Sequence, residues 1–140
     1  MFNVEIIIER SPEIVWAYFT EPGNWKKWWG GGLKSAQWIK GGKLVWALGG
    51  SSPIEDFISG KMVQIAGSWM STTFTFELKG KGKTVFRIQE SSPKGGASFN
   101  DGGASHLSQL NSCLAKFKNY LESEVEQTVL PTKKWWEVWK

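Results

Sequence analysis

The chain has 140 residues, with 17 Lys and Arg against 13 Asp and Glu, a formal charge of +4, ten Trp and one Cys. One domain of this length buries about two-thirds of the surface that its unfolded form exposes and needs no staple. Cys113 has no partner for an internal disulfide, so a small buried thiol in a reducing, cytoplasmic compartment is expected, and the excess positive charge is mild and scattered.

Phe2, Val4, Ile6 and Ile8 share one face against Asn3, Glu5 and Glu9, with Ile7 the exception. This predicts a half-buried strand, and the acidic residues within it argue against a signal peptide or membrane span. Ser11-Pro12 starts a short helix that carries Ile14, Val15, Tyr18 and Phe19 inward. A second short helix from about Pro22 sets Trp25, Trp28 and Trp29 on one side and ends at the glycines 30–32. From about Ala36 to Glu90 the period becomes two, with turns at Gly41-Gly42, at residues 49–53, at Gly60, at Gly67 and at residues 80–82, which predicts an antiparallel meander. Leu44, Trp46 and Leu48, then Met70, Phe74, Phe76 and Leu78, then Phe86 and Ile88 fall on its apolar face, whereas Arg87 and Gln89 fall on the polar one. Trp69 has the wrong parity for the inner face and is either exposed or placed by a bulge near Gly67. Residues 91–103 are a Gly- and Ser-rich loop containing Phe99, Asn100 and Asp101. Beyond it Leu107, Leu110, Leu114, Phe117 and Leu121 form one stripe of a long helix, bordered by His106, Cys113 and Tyr120. Pro131 is expected to end any helix, which leaves residues 127–140 as a Trp-rich basic tail behind a domain of residues 1–126.

This order of elements predicts an α+β domain whose curved antiparallel sheet of six or seven strands wraps around the last helix. One helix is narrower than the sheet, so the space between them is filled by side chains or by a ligand. The stretches Ile8 to Trp16, Thr20-Glu21-Pro22 through Trp28-Trp29-Gly30, Gly41 to Leu44, Phe74 to Leu78, Gly82-Lys83-Thr84 and Leu107 to Leu121 together resemble the START or SRPBCC superfamily, the helix-grip fold of the birch-pollen allergen type. Within it they are most similar to the branch of the ATPase-activating co-chaperone of the large heat-shock protein. The resemblance covers roughly residues 2 to 124. Residues 57–69 look shorter than the usual pair of strands there, which predicts a lost or shortened strand. Members include binders of hydrophobic ligands, such as lipids, and polyketide cyclases or aromatases, so the fold by itself supplies no reaction.

The candidate site is a cavity for a small apolar or aromatic ligand. Trp28, Trp29, Trp46, Phe74, Phe76 and Phe86 are its wall candidates, although core packing is the competing reading for each ring; Phe99 lies in the adjoining loop. Leu110 and Leu114 would form the floor. Trp28 and Trp29 would stand at the mouth, with Trp25 peripheral. His106, the one histidine, sits near the start of the long helix, where burial and the helix N-terminus favour neutral imidazole as a hydrogen-bond partner or a general base. Asp101 would either orient it or cap the helix, and Glu90 and Asp56, on the inner parity near strand ends, are expected at the water-exposed rim. With one histidine and one cysteine no zinc cluster is expected, and no phosphate-binding glycine motif points to a cofactor. Lys26, Lys27, Lys79, Lys81 and Lys83 beside tryptophans suggest nucleic-acid stacking, but strand parity buries the sheet aromatics, so no nucleic-acid partner is expected. A cyclase-like or hydrolytic enzyme using His106, and stimulation of a chaperone ATPase, are the alternatives to ligand binding. The tail residues Trp135, Trp136 and Trp139 are expected to dock on the domain or on a second copy.

Overall fold

The computed structural model describes residues 2–67, 70–91 and 104–138, with side chains of the last helix described from Ser105 to Ser123. Strand β1 (Phe2–Ile8) leads into α1 (Pro12–Phe19) and a 3-10 helix (Pro22–Lys27). Strands β2 (Leu33–Ala36), β3 (Lys43–Trp46), β4 (Ser51–Ile58), β5 (Met62–Ala66), β6 (Ser71–Leu78) and β7 (Thr84–Ser91) follow, and α2 (Ala104–Val138) comes last. Among the described residues the seven strands form one antiparallel sheet in the order β1-β7-β6-β5-β4-β3-β2. The expected α+β helix-grip architecture is the observed one. Both strands in residues 51–66 are present, so the predicted loss of a strand does not occur. Ser51, Ser52 and Pro53 belong to β4 rather than to a turn, because the proline sits where the neighbouring Ile54 N–H supplies the bond, to Gly42 O at 2.8 Å.

Strand alternation places the core as expected. Val4 and Ile8 of β1, Phe74 and Phe76 of β6, and Phe86 and Ile88 of β7 are buried, as are Leu110, Leu114, Phe117 and Leu121 of α2. Four expectations fail, among them Leu107 of the helix stripe, which lies near the start of α2 and is 37 % exposed. Leu48 lies past the end of β3 and is 87 % exposed, and Leu78, the last residue of β6, is 66 % exposed. Ile14 of α1 also faces outward, while Trp16 packs against Phe19, Phe57 and Phe76. The outer face of the sheet carries Arg87, paired with Glu5 at 3.0 Å and Glu77 at 3.1 Å.

Helix α2 continues through Pro131 to Val138, so the proline does not end the helix as expected. A proline removes one donor and kinks a helix without obliging it to stop. The side chains of Trp135 and Trp136, and all of Trp139, Phe99, Asp101 and Trp69, lie outside the described residues.

Polar bonds tie α2 to the outer side of β1. Lys118 Nζ donates to Ile7 O at 2.8 Å and to Glu122 Oε2 at 2.6 Å, and Glu122 Oε2 also accepts the Glu9 N–H at 2.9 Å. Partial burial works against ionisation of Glu122, but the Glu9 N–H and the charges of Lys118 and Arg10 outweigh it, so its carboxyl lies below its ordinary value. A depressed carboxyl contributes stability above its unfolded pKa and loses it as pH falls through the folded value. Glu122→Gln should therefore cost about 1 kcal/mol at neutral pH. The difference from the parent should begin to shrink as pH falls through the ordinary glutamate range of about 4 and vanish only below the depressed folded value, as read by urea melts across pH.

Candidate functional site

The aromatic residues form two zones. In the interior, Phe19 and Trp25 are fully buried and Trp25 Nε1 donates to Phe19 O at 2.6 Å. Trp25 is thus a centre of the core, not peripheral. Its ring lies 4.7 Å from that of Trp28, 5.0 Å from Phe19 and 5.8 Å from Phe74. Phe117 of α2 closes the interior from above, 4.5 Å from Phe86 and 4.7 Å from Trp28. Phe74 and Phe86 stack at 6.2 Å, and Phe76 and Phe86 at 4.9 Å. The rings expected to wall a cavity beneath α2 therefore meet one another, with Leu110 and Leu114 buried among the same core residues. Of the expected walls, Phe74, Phe76 and Phe86 are packing residues.

The second zone is the mouth, where the 3-10 helix and the glycines after it approach α2. A half-open cavity of about 330 Å³ lies there, lined by Lys26, Lys27, Trp28, Trp29, Gly30, Gln109, Ser112, Cys113 and Lys116. Ligand cavities run from about 300 Å³ upward, so this one suits a small molecule. Trp29 is half-buried and stacks on Trp46 at 6.4 Å with 17° between planes, so Trp46 supports the wall from behind without lining it. Trp46 is itself fixed by its Nε1 donating to Ser52 Oγ at 2.9 Å. Trp28 is nearly buried, and its Nε1 is a buried donor with no acceptor. Gly31 and Gly32 at φ 86° and 73° turn the chain from the 3-10 helix directly into β2. A Cβ on Gly32 would come within 3.1 Å of Lys26 Cβ, so this tight passage needs glycine.

Burial pushes the Cys113 thiol up from its ordinary value; the Lys116 charge and the Gly30 N–H oppose this in part, and the Glu90 carboxylate adds to it. Glu90 is 6 % exposed, against the expectation of a solvated rim position, while Asp56 is half-exposed and accepts the Phe57 N–H at 2.9 Å. Thr72 Oγ1 donates to Glu90 Oε2 at 2.9 Å, and His106 Nε2 hydrogen-bonds Glu90 Oε1. The His106 ring also meets Phe2 edge-on at 4.9 Å. The carboxylate that orients His106 is thus Glu90, from β7. His106 precedes Gln109, Cys113 and Lys116 by 3, 7 and 10 residues, which puts it on the cavity side of α2, one turn before the lining begins.

A second half-open cavity, of about 370 Å³, lies beside α1 and is lined by Pro12, Glu13, Trp16, Ser59, Lys61, Phe76 and Leu78 among others, with fewer hydrogen-bond donors than the first. Among the described residues no group of His, Cys, Asp and Glu is arranged to hold a metal, and no helix is long and apolar enough to cross a membrane.

A family model described as polyketide cyclase / dehydrase and lipid transport matches residues 1–122. A search of curated proteins found no significant match. Among solved structures, a conserved protein of unknown function from Enterococcus faecalis aligns with a TM-score of 0.73 at 20% identity over 88% of this chain and 71% of that one. The Aha1 dimer from Colwellia psychrerythraea aligns at 0.66 with 24% identity over 88% and 98%. An HSP90 activator from Plasmodium falciparum aligns at 0.64 with 14% identity over 89% and 95%. At these identities the likeness is one of fold.

Proposed function

The chain belongs to the polyketide cyclase / dehydrase and lipid transport family, and from that membership and the mouth cavity we propose that it binds a small, mostly apolar or aromatic ligand between the 3-10 helix and α2. The carrying observation is the half-open cavity of about 330 Å³ with Trp29 as its flat wall. It sits nearer the surface than the cavity expected from the sequence, because Phe117 fills the deeper space. Trp29 and Trp28 keep their proposed role as walls. Trp46 becomes the backing of Trp29, and the floor passes from Leu110 and Leu114 to Cys113, one residue before Leu114 on α2. A cytoplasmic, reducing setting suits the free thiol at that position.

Cys113 is the one cysteine of the chain, so its alkylation reports directly on the cavity. Thiolate is the reactive form, and the raised thiol should react with iodoacetamide more slowly than a free cysteine at neutral pH, with a rate that climbs as pH rises past the ordinary thiol range. A bound ligand should slow it further. Ser112→Trp places an indole in the cavity from an exposed helix position, so stability should change by only about 0.5 kcal/mol. Ligand protection of Cys113 should be lost. Full protection persisting in Ser112→Trp would mean that the ligand binds elsewhere.

The Glu90–His106 pair favours a second reading, an enzyme with His106 as general base. That reading requires turnover whose pH–rate profile is abolished in His106→Gln; binding without turnover leaves the pair a structural one.

A further inference from the structure

We propose that the rim beside the mouth cavity docks on an anionic lipid bilayer, with Leu48 entering the headgroup layer and Lys26 and Lys34 meeting the lipid phosphates. The apolar part is one protruding tip. Leu48, 87 % exposed, lies in the turn between β3 and β4, in a run of exposed residues from Ala47 to Gly50. The water that hydrates such a side chain is released only when an apolar surface covers it. The tip is held against the mouth. The Ala47 N–H donates to Gly32 O at 3.3 Å, and a Cβ on Gly31 would come within 3.0 Å of Leu48 Cδ1. Gly30, in the same glycine turn, lines the cavity, and Lys26 has its Cβ beside Gly32. Lys34 follows on β2, next to the Leu33 that faces Trp46 across the strand pair.

Charge selects the partner. Residues 22–54 contain five lysines and no Asp or Glu, in a chain that has 13 acidic residues. Lys27 is engaged, its ammonium 5.6 Å from the centroid of the Tyr120 ring. Lys26, Lys34, Lys40 and Lys43 are exposed and form no ion pair among the described residues. The segment supplies the 3-10 helix, β2 and β3, so its charge gathers toward the sheet edge opposite β1, and no carboxylate of its own repels an anionic surface. Its rings favour lipid over nucleic acid. Trp25 and Trp28 are buried, Trp38 Nε1 donates to Thr20 O at 2.9 Å, and Trp46 is bonded to Ser52, so the groups that protrude are the aliphatic Leu48 and Ile39. A base stacks on an exposed flat ring, whereas the headgroup layer accepts an aliphatic tip. One such tip with a few lysines gives weak, reversible attachment, as suits a protein that leaves the surface again.

Co-sedimentation of the full chain with vesicles of phosphatidylcholine alone, and of phosphatidylcholine and phosphatidylserine in equal parts, tests the surface. Binding should require phosphatidylserine and fall as NaCl is raised. Leu48→Ser should weaken it about fivefold or more, and Lys26→Gln/Lys34→Gln about tenfold or more. Lys81→Gln, in the turn after β6 and outside the basic segment, should leave it within about twofold. An environment-sensitive dye on Leu48→Cys in a Cys113→Ser background should shift to the blue with the anionic vesicles, and the same dye on Lys81→Cys should not. No binding to phosphatidylserine vesicles, or a loss in Lys81→Gln equal to that in Lys26→Gln/Lys34→Gln, overturns the docking surface. Unchanged binding in Leu48→Ser without a dye shift overturns the insertion of the tip. An oligothymidylate that strips the protein from the vesicles and binds through Lys26 and Lys34 overturns lipid as the partner. Ligand binding in the cavity stands or falls separately, since no ligand enters these measurements.

Discussion

Trp25→Ala is expected to cost about 3–5 kcal/mol of folding stability, a large share of the roughly 5–15 kcal/mol that holds a domain together. The side chain is fully buried, touches Phe19, Trp28 and Phe74, and gives its N–H to the Phe19 carbonyl. Truncation removes the rings' common neighbour and strands a buried carbonyl in one step. The midpoint of thermal unfolding should fall by roughly 10 °C or more. Trp25→Phe separates the contributions in part, since it keeps an aromatic ring but loses the hydrogen bond and the volume of the second ring, for about 2–3 kcal/mol. Trp46→Ala is the reference, because Trp46 is half-buried and bonded at the side of the sheet. If Trp46→Ala proves as costly as Trp25→Ala in urea melts, Trp25 is not the centre of this core.

His106→Ala should cost about 1–3 kcal/mol, the cost of leaving a buried polar group short of a hydrogen-bond partner. The loss arises at Glu90, which would remain buried with Thr72 Oγ1 as its one donor among the bonds described here. Glu90→Gln should restore part of that loss in the double variant, since an amide is far less costly to bury than an unpaired carboxylate. A coupling of about 1 kcal/mol or more in the double-mutant cycle is the expected result. Additive effects would mean that His106 and Glu90 act independently despite their contact.

The sequence carried the fold well where periodicity carries information. Alternation along β1, β6 and β7 and the Leu110, Leu114, Phe117 stripe of α2 placed the main core side chains correctly. It carried less where local geometry departs from an ideal helix. Helical spacing sets Trp25, Trp28 and Trp29 on one side but does not rank them by depth, which left Trp25 peripheral; the segment is a 3-10 helix with three residues per turn, so Trp25 and Trp28 eclipse one another and both face inward. Trp29 is then rotated off that face, which is why it is half-exposed and free to be a wall. In the sequence Lys26 and Lys27 read only as part of a nucleic-acid signal, because the α2 residues that line the same cavity, Lys116 among them, are brought there by packing. The Glu90–His106 contact was hidden for the same reason. Parity put Glu90 inside and composition argued it out, and the imidazole that resolves the conflict arrives from another element.

The sheet order also has a consequence for how the chain is made. The one strand beside β1 is β7, with Glu5 and Arg87 meeting across 82 residues of sequence. At a synthesis rate of about 5–20 residues per second, β1 waits roughly 4 to 16 seconds for that neighbour. Its outer side waits longer, since Lys118 and Glu122, which bind Ile7 O and Glu9 N–H, come later still. Strands β2 to β6 pair each with the next and can assemble as they emerge, so the alternating apolar segment Phe2–Ile8 is the part of the nascent chain exposed longest to wrong partners. Destabilising α2 should therefore show itself first as lower yield of soluble protein during synthesis, ahead of any change in the finished domain's ligand affinity.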